Sequence, residues 1–214
     1  MNILLLGAPG AGKGTQAKII SEKFKIPIIS MGDMLREIIK KDEELKLKVL
    51  PHMKAGGLVP NELVGEILKK RISEKDCEKG FILDGYPRNE EQAKLLDEIN
   101  LKIDLAIEIF VSDEEILKRL TSRKVCSKCG ETFSVNFKKP KTEGKCDFCG
   151  SELTTRPDDE EETIKKRLDV FRSQTKPLEI YYNKRRMFYK INGEQDAKNV
   201  SEEIFSIIEE NVYD

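Results

Sequence analysis

The stretch GAPGAGKGT places glycines and a lysine in a spacing that binds phosphate. Gly7, Gly12 and Lys13 follow the pattern G-x4-G-K directly after a short apolar run, which predicts a strand, a tight turn and a helix. Backbone N–H groups at such a turn surround a phosphate, and the lysine adds a positive charge. The usual pattern has Ser or Thr after the lysine, whereas this chain has Gly14 and delays the hydroxyl to Thr15. We therefore expect Mg²⁺ to be held through the nucleotide and water, and not directly by this hydroxyl.

Four cysteines form two pairs with the spacing of metal ligands. Cys126-x2-Cys129 and Cys146-x2-Cys149 are separated by 16 residues, and each pair is followed by glycine. Four thiolates fill the tetrahedral shell of zinc, so the spacing predicts a structural Zn²⁺ with no open position for substrate. Two disulfides are the alternative, which a reducing compartment disfavours. The fifth cysteine, Cys77, is interpreted as an inert thiol.

Apolar strand-like runs alternate with segments of helical period. Such alternation predicts an α/β fold with a parallel sheet. Capping-box spacing predicts helix starts at Asn89, with Gln92, and at Ser112, with Glu115, while Ser201 precedes the closing amphipathic helix. The strand-like runs occupy residues 2–6, 26–29, 81–83, 105–110 and 187–191.

Two stretches interrupt the alternation. Prolines and glycines punctuate helical patches in residues 30–60, which we interpret as a helical insertion. The four cysteines and a run of acids occupy residues 126–163, which we interpret as a small subdomain held by metal. Residues 160–162 are interpreted as the solvated N-terminus of a helix, where acids favour the dipole.

Composition excludes several classes of function. The chain has 214 residues, enough for one domain with insertions, and 38 basic against 39 acidic residues give a net charge of −1. We therefore expect no nucleic-acid partner, because no basic excess is present. Neither a signal-peptide pattern nor a bilayer-spanning apolar run is recognised, so we expect no membrane partner and a cytoplasmic location.

Six further stretches resemble the adenylate kinase family, in which the loop form Gly-Lys-Gly-Thr is normal. Together with the phosphate loop they extend over almost the whole chain. They are SMGDMLR (30–36), GLVPNELV (57–64), GFILDGYPRNEEQA (80–93), RLTSRKVCSKCG (119–130), TTRPDDEEETIKKRL (154–168) and INGEQD (191–196).

The resemblance implies a P-loop, doubly wound, five-stranded parallel sheet with two inserted mobile segments. The core would comprise residues 1–29, 60–125 and 164–214. Residues 30–59 would bind the nucleoside monophosphate, and residues 126–163 would form a zinc-containing lid that shuts out water. The implied activity is reversible, Mg²⁺-dependent phosphoryl transfer from ATP to AMP, giving two ADP, by a monomer.

The resemblance also assigns roles to individual residues. The implied catalytic residues are Lys13, Arg36, Arg88, Arg123, Arg156 and Arg167, with Asp84 holding Mg²⁺ through water. The implied ATP-binding residues are Gly10, Ala11, Gly12, Lys13, Gly14, Thr15, Arg119, Arg123, Thr132, Phe133 and Gln195. The implied AMP-binding residues are Met31, Arg36, Gly57, Leu58, Val59, Gly85, Tyr86, Pro87, Arg88, Gln92, Arg156 and Arg167.

Several acidic and polar side chains are open to more than one interpretation. Asp33 could cap a helix or join the magnesium water network, and Asp158 and Asp159 resemble an acidic pair near the ATP phosphates. Met31 departs from the threonine that is usual in the family, which weakens the expectation of strict AMP selectivity because a thioether cannot donate a hydrogen bond. The single histidine, His52, is interpreted as structural or exposed, because an ionised phosphate acceptor needs no general base.

Other functions remain open from the sequence. The nearest is another nucleoside monophosphate kinase, acting on UMP or CMP or using GTP as donor. A zinc-ribbon protein that binds nucleic acid would need a basic face and aromatic platforms. A non-catalytic nucleotide sensor would have little use for two phosphate sites.

Overall fold

The computed structural model describes residues 1–134 and 138–212. The strands in this part of the chain are β1 (Asn2–Leu6), β2 (Ile28–Ser30), β3 (Phe81–Asp84), β4 (Leu105–Phe110), β5 (Arg123–Cys126), β6 (Thr132–Ser134), β7 (Leu153–Thr154) and β8 (Phe188–Asn192). The α-helices are α1 (Lys13–Phe24), α2 (Met31–Lys41), α3 (Glu43–Lys54), α4 (Asn61–Ile72), α5 (Glu90–Glu98), α6 (Asp113–Thr121), α7 (Glu161–Val170), α8 (Leu178–Asn183) and α9 (Ala197–Val212). Short 3₁₀ turns lie at Lys75–Cys77 and Pro157–Asp159, and a π-helical turn at Phe171–Thr175 continues α7.

The large sheet has the order β2-β3-β1-β4-β8, and all of its described pairings are parallel. Leu4 in the central strand lies opposite Leu83 of β3 and Ala106 of β4. The strand order reverses beside β1, and ligands of doubly wound sheets bind at such a point. The predicted five-stranded parallel fold is therefore confirmed.

Both faces of this sheet are buried. Ile3 and Leu5 belong to one hydrophobic cluster, which also contains residues of α1 and α9. Leu4 and Leu6 belong to the other cluster, with residues of α4, α5 and α8. Burial on both faces explains why the central strand β1 is an apolar run, whereas β4 contains Glu108 and the edge strand β8 is partly exposed.

The bounds of β1 and β4 match the predicted runs, and those of β2, β3 and β8 differ from them by one or two residues. β2 begins at Ile28 instead of residue 26, because the preceding Pro27 has no N–H to donate. The Pro27 carbonyl oxygen accepts a hydrogen bond from the Ile82 N–H at 2.9 Å, so Pro27 joins β3 only as an acceptor.

The predicted helix starts have different outcomes. Asn89 caps α5 as expected, with its side chain accepting from the Gln92 N–H. Ser112 is the N-cap of α6, but its side chain makes no capping bond. The prediction for Ser201 is wrong: α9 begins at Ala197, because the carboxylate of Asp196 accepts from two N–H groups of its first turn, and Ser201 lies buried inside the helix.

The two interrupting stretches contain the structures expected of them. Residues 31–54 form α2 and α3, and the carboxylate of Asp42 between them accepts from the Leu45 N–H at 2.9 Å. The cysteine stretch contains a three-stranded antiparallel sheet of order β6-β5-β7, which begins at Arg123. Glu161 and Glu162 lie in the first turn of α7, as predicted. In the described residues no helix is long and apolar enough to span a membrane.

Candidate active site

The phosphate loop joins the central strand to α1 at the carboxyl edge of the sheet. Gly7 has φ +134°, and a Cβ there would lie 2.5 Å from the Ile109 carbonyl oxygen, so only glycine fits. Gly12, at φ +101°, is the N-cap of α1. Lys13 folds back over the loop, and its Nζ donates to the carbonyls of Gly7 at 2.8 Å and Ala8 at 2.9 Å. The loop thus brings a helix N-terminus and a cation to one place.

Desolvation lowers the pKa of Lys13 to about 8. Asp84 opposes this shift, whereas Arg88 and Arg167 reinforce it by repulsion. A lysine in this state gains a proton more easily when a phosphate arrives, because the anion compensates the charge that the site alone disfavours.

Asp84 ends β3 beside the start of α1. A Cβ at Gly14 would lie 3.7 Å from its Oδ2, so Asp84 stands beside the position where other phosphate loops carry Ser or Thr. Burial raises the pKa of Asp84, and the nearby Lys13 and Arg88 oppose the shift. This placement is suited to a carboxylate that holds water molecules of a nucleotide-bound Mg²⁺.

Two arginines of the site share one carboxylate. The Arg123 Nε donates to Asp159 Oδ2 at 2.7 Å, and its Nη2 donates to Oδ1. The Arg167 Nη1 donates to the same Oδ1 at 3.2 Å and to the Asp158 carbonyl at 2.9 Å. The side chain of Asp159 is completely buried, so this acid orients both guanidinium groups from behind.

Three further arginines lie within electrostatic reach of this pair. The Arg88 Nε donates to the Gly85 carbonyl at 2.9 Å, and Arg36 pairs with Asp33. Arg156 has a buried Nε without a hydrogen-bond partner among the described residues. Desolvation, together with Arg36 and Arg123, lowers the pKa of Arg156 to about 10.

Positive charge exceeds negative charge in this cluster. The six cationic groups are Lys13, Arg36, Arg88, Arg123, Arg156 and Arg167, and the four carboxylates are Asp33, Asp84, Asp158 and Asp159. The excess and the unpartnered Arg156 Nε together favour an anion with several oxygens at this place.

A cleft beside the cluster is apolar at one part of its wall and cationic at another. Ten of the predicted AMP-binding residues line it, and Pro87 and Arg156 do not. It also contains residues that sequence reasoning missed, including Leu35, Met53 and Val64, whose helical periodicity indicated only core packing. The predicted residues in the lining are Met31, Arg36, Gly57, Leu58, Val59, Gly85, Tyr86, Arg88, Gln92 and Arg167.

The expected donor-side residues outside the phosphate loop lie in α6, in the small antiparallel sheet and after β8. The Arg119 Nη2 donates to the Gly193 carbonyl at 3.0 Å, which places Arg119 beside the loop that carries Gln195. Thr132 and Phe133 lie in β6, paired with the strand that begins at Arg123. Phe133 is buried with two of the cysteines, so its ring is not available to a nucleotide.

The four cysteines converge on one point. Their Sγ atoms all lie within 4.8 Å of one another, and all four thiols are free, so the disulfide alternative is not realised. Gly130 and Gly150 follow the two pairs at φ +72° and +71°, and each N–H donates to the carbonyl of the first cysteine of its pair. Two equivalent turns that present four sulfurs fit a tetrahedral Zn²⁺.

Cys77 and His52 lie apart from these groups. The Cys77 thiol is buried, its Sγ accepts from the Arg71 Nη1 at 2.9 Å, and burial raises its pKa. His52 is exposed on α3. Neither position supplies a nucleophile or base to the cleft.

Comparison with known proteins decides the family. The family model described as adenylate kinase matches residues 5–187. The chain belongs to the adenylate kinase family. An adenylate kinase of Archaeoglobus fulgidus is 49% identical over 213 residues, which cover 98% of both chains. Those of Caldicellulosiruptor bescii and Clostridium acetobutylicum are 47% and 48% identical, and the matches cover 97–98% of this chain and 99–100% of theirs.

Membership of the adenylate kinase family confirms the predicted enzyme class. The chain is a nucleoside monophosphate kinase, a transferase. For Asp33 the capping interpretation is wrong: Ser30 is the N-cap of α2, and the Asp33 carboxylate pairs with Arg36.

Proposed function

We propose that this adenylate kinase family member transfers the terminal phosphoryl group of Mg·ATP reversibly to AMP, giving two ADP. The observation that carries the proposal is the cationic cluster between the phosphate loop and the cleft. Two phosphate chains that meet there would neutralise its charge excess on both sides of an in-line displacement. The names of the relatives, which are adenylate kinases, support AMP as acceptor.

The residues divide between the two nucleotides. The loop N–H groups and Lys13 would hold the ATP phosphates, with Arg119 stacked on the donor base and Arg123 on the donor phosphates. Arg36 and Arg88, which line the cleft, would hold the AMP phosphate. The remaining pair, Arg156 and Arg167, would contact the transferred group.

Catalysis would rest on orientation and electrostatics. An acceptor monophosphate has a second pKa of about 6, so its attacking oxygen is already ionised near neutral pH. Mg²⁺ bound to ATP supplies charge neutralisation, and Asp84 would hold its water ligands. Residues 30–59 and 126–163 would close over the nucleotides and exclude water, which would otherwise accept the phosphoryl group.

The cysteine cluster supports a structural role for Zn²⁺. Four thiolates leave no coordination position for substrate, so the metal would only hold the small antiparallel sheet together. We also propose that the protein acts as a monomer in the cytoplasm, where a reducing environment keeps the thiols available to metal.

A panel of acceptors tests the function. ADP formation from Mg·ATP is measured with AMP, GMP, CMP or UMP as sole acceptor at equal concentration. Strong turnover with AMP alone supports the proposal, whereas a preference for another monophosphate would retain the mechanism and replace the substrate. A preference for another monophosphate would be attributed to Met31, which is 2% exposed and presents a thioether to the cleft.

A further inference from the structure

A closed network of side-chain amides lies behind the apolar part of the cleft. The Gln92 Oε1 accepts from the Arg88 N–H at 2.7 Å, and its Nε2 donates to Asn61 Oδ1 at 2.8 Å. The same Asn61 Oδ1 accepts from Asn89 Nδ2 at 3.1 Å, while Asn61 Nδ2 donates to a Glu91 carboxylate oxygen at 2.5 Å. Of these five residues Arg88 and Gln92 line the cleft, so Asn61 acts from behind.

The orientation of every amide in this network is fixed by a neighbouring group that can only donate or can only accept a hydrogen bond. The Gln92 N–H can only donate, and it donates to Asn89 Oδ1, so Asn89 must present its NH₂ to Asn61. The Glu91 carboxylate can only accept, so Asn61 must direct its NH₂ there and its oxygen to Gln92. The Arg88 N–H, also a donor only, fixes the oxygen of Gln92 from the other side.

Among the described residues, the fixed amide retains one lone pair and one N–H without a partner. A side-chain amide has two of each, and the network uses one lone pair of Gln92 Oε1 and one hydrogen of Nε2. The unused lone pair and the unused N–H therefore have fixed positions: the acceptor lies beside Arg88 and the donor beside Asn61.

This polarity distinguishes two kinds of purine. Adenine presents an amino donor next to a ring-nitrogen acceptor, whereas a 6-oxopurine presents a carbonyl acceptor next to a ring N–H donor. An amide that could rotate by 180° would bind either edge equally well. An amide held in one orientation binds one of these edges. Against the other edge its oxygen faces the ring N–H donor only after rotation, and without rotation acceptor faces acceptor and donor faces donor.

We propose that Asn61 is the positioning residue that holds the Gln92 amide in the orientation that selects a 6-aminopurine over a 6-oxopurine. The inference rests on the proposed function, because it requires the cleft to bind the acceptor base. Nothing in the spacing of the phosphate-binding residues carries this information. It arises from the contact between the first residue of α4 and the first turn of α5.

The test compares AMP with IMP, whose bases differ only at the edge in question. Steady-state kcat and KM are measured for both acceptors with saturating Mg·ATP in the wild type and in Asn61→Leu, Asn61→Ala and Asn61→Asp. The leucine and alanine variants remove the acceptor for Gln92. The aspartate variant is made together with Glu91→Gln, because a carboxylate at position 61 would otherwise face the Glu91 carboxylate. It keeps an acceptor for both Gln92 and Asn89, and serves as the matched control.

We expect the leucine and alanine variants to reduce the preference for AMP over IMP roughly 10-fold, which corresponds to about 1.4 kcal/mol. The change should lie in KM, because the phosphate-binding arginines are untouched. Asn61→Asp should keep the preference within about 2-fold of the wild type, since its oxygen still orients the amide. Alanine suits the first helical position, so it tests the inference if leucine prevents folding.

Each other outcome overturns the inference. An unchanged AMP:IMP ratio in the leucine and alanine variants, or an equal loss with both acceptors, shows that Asn61 has only a structural role. A wild type that uses AMP and IMP equally refutes the inference and leaves phosphoryl transfer intact. A wild type that uses neither refutes the proposed function, and the inference with it.

Discussion

Substituting Asp159 by asparagine should destabilise the ligand-free protein strongly. The Asp159 side chain is 0% exposed and is the shared acceptor for Arg123 and Arg167. Asparagine keeps the shape but removes the charge, which leaves two guanidinium groups in a cluster already rich in positive charge. Removing one partner from a buried pair costs about 3 kcal/mol or more. For a chain of this size we expect the melting temperature to fall by roughly 6–12 °C.

Thermal unfolding followed by circular dichroism without nucleotide measures the effect. Asp169→Asn is the matched control, because Asp169 pairs with Arg172 at 2.8 Å through a side chain that is 73% exposed. An exposed pair is screened by water, so this variant should melt within about 2 °C of the wild type. If Asp159→Asn melts no lower than Asp169→Asn, the buried carboxylate does not stabilise the arginine cluster, and the reasoning is refuted.

Three further predictions concern the phosphate loop, the cluster and the cysteines. Binding of ATP near pH 8 should take up about half a proton at Lys13, because its pKa of about 8 rises beside phosphate, and affinity should fall as pH rises through that value. Calorimetric enthalpies at this pH that do not vary with the ionisation enthalpy of the buffer would contradict this. Arg88→Ala should fold like the wild type and lose roughly 10³-fold in kcat, and near-normal turnover would remove Arg88 from the mechanism. Freshly purified protein should contain one zinc per chain, and Cys129→Ser should lower both the zinc content and the melting temperature, because structural zinc contributes on the order of 10 kcal/mol to folding. Less than about half an equivalent in chelator-free wild type would refute the zinc site.

Local patterns predicted the parts of the structure that depend on local chemistry. The spacing of the cysteines sufficed because each Cys-x2-Cys-Gly turn is built within five residues. The inner strands were recognisable because both of their faces are buried, which makes the runs mostly apolar. The helix start was misplaced at Ser201 because Asp196, five residues earlier, could equally cap a helix, and the sequence pattern did not rank one residue above the other.

The arginine cluster is a different case, because its members come from distant parts of the chain. Periodicity and spacing give no reason for Arg36, Arg88 and Arg167 to meet, and they were predicted only through the family resemblance. Even that resemblance did not show that Asp159 orients two of the guanidinium groups from a completely buried position. A contact between α7, β5 and a 3₁₀ turn has no signature in any one of the three segments.

The two parts of the cleft recognise their ligand by different physical means. At the phosphate end, cations exceed carboxylates, so the ligand-free site bears repulsion that an incoming phosphate removes. Such recognition depends on the total charge of the ligand and therefore tolerates many different phosphate-containing ligands. At the base end, the group that faces the ligand is the neutral Gln92 amide, and a network of hydrogen bonds fixes its polarity. Affinity should therefore depend mainly on the arginines, whereas selectivity among nucleotides should depend on neutral side chains such as Asn61 that never touch the ligand.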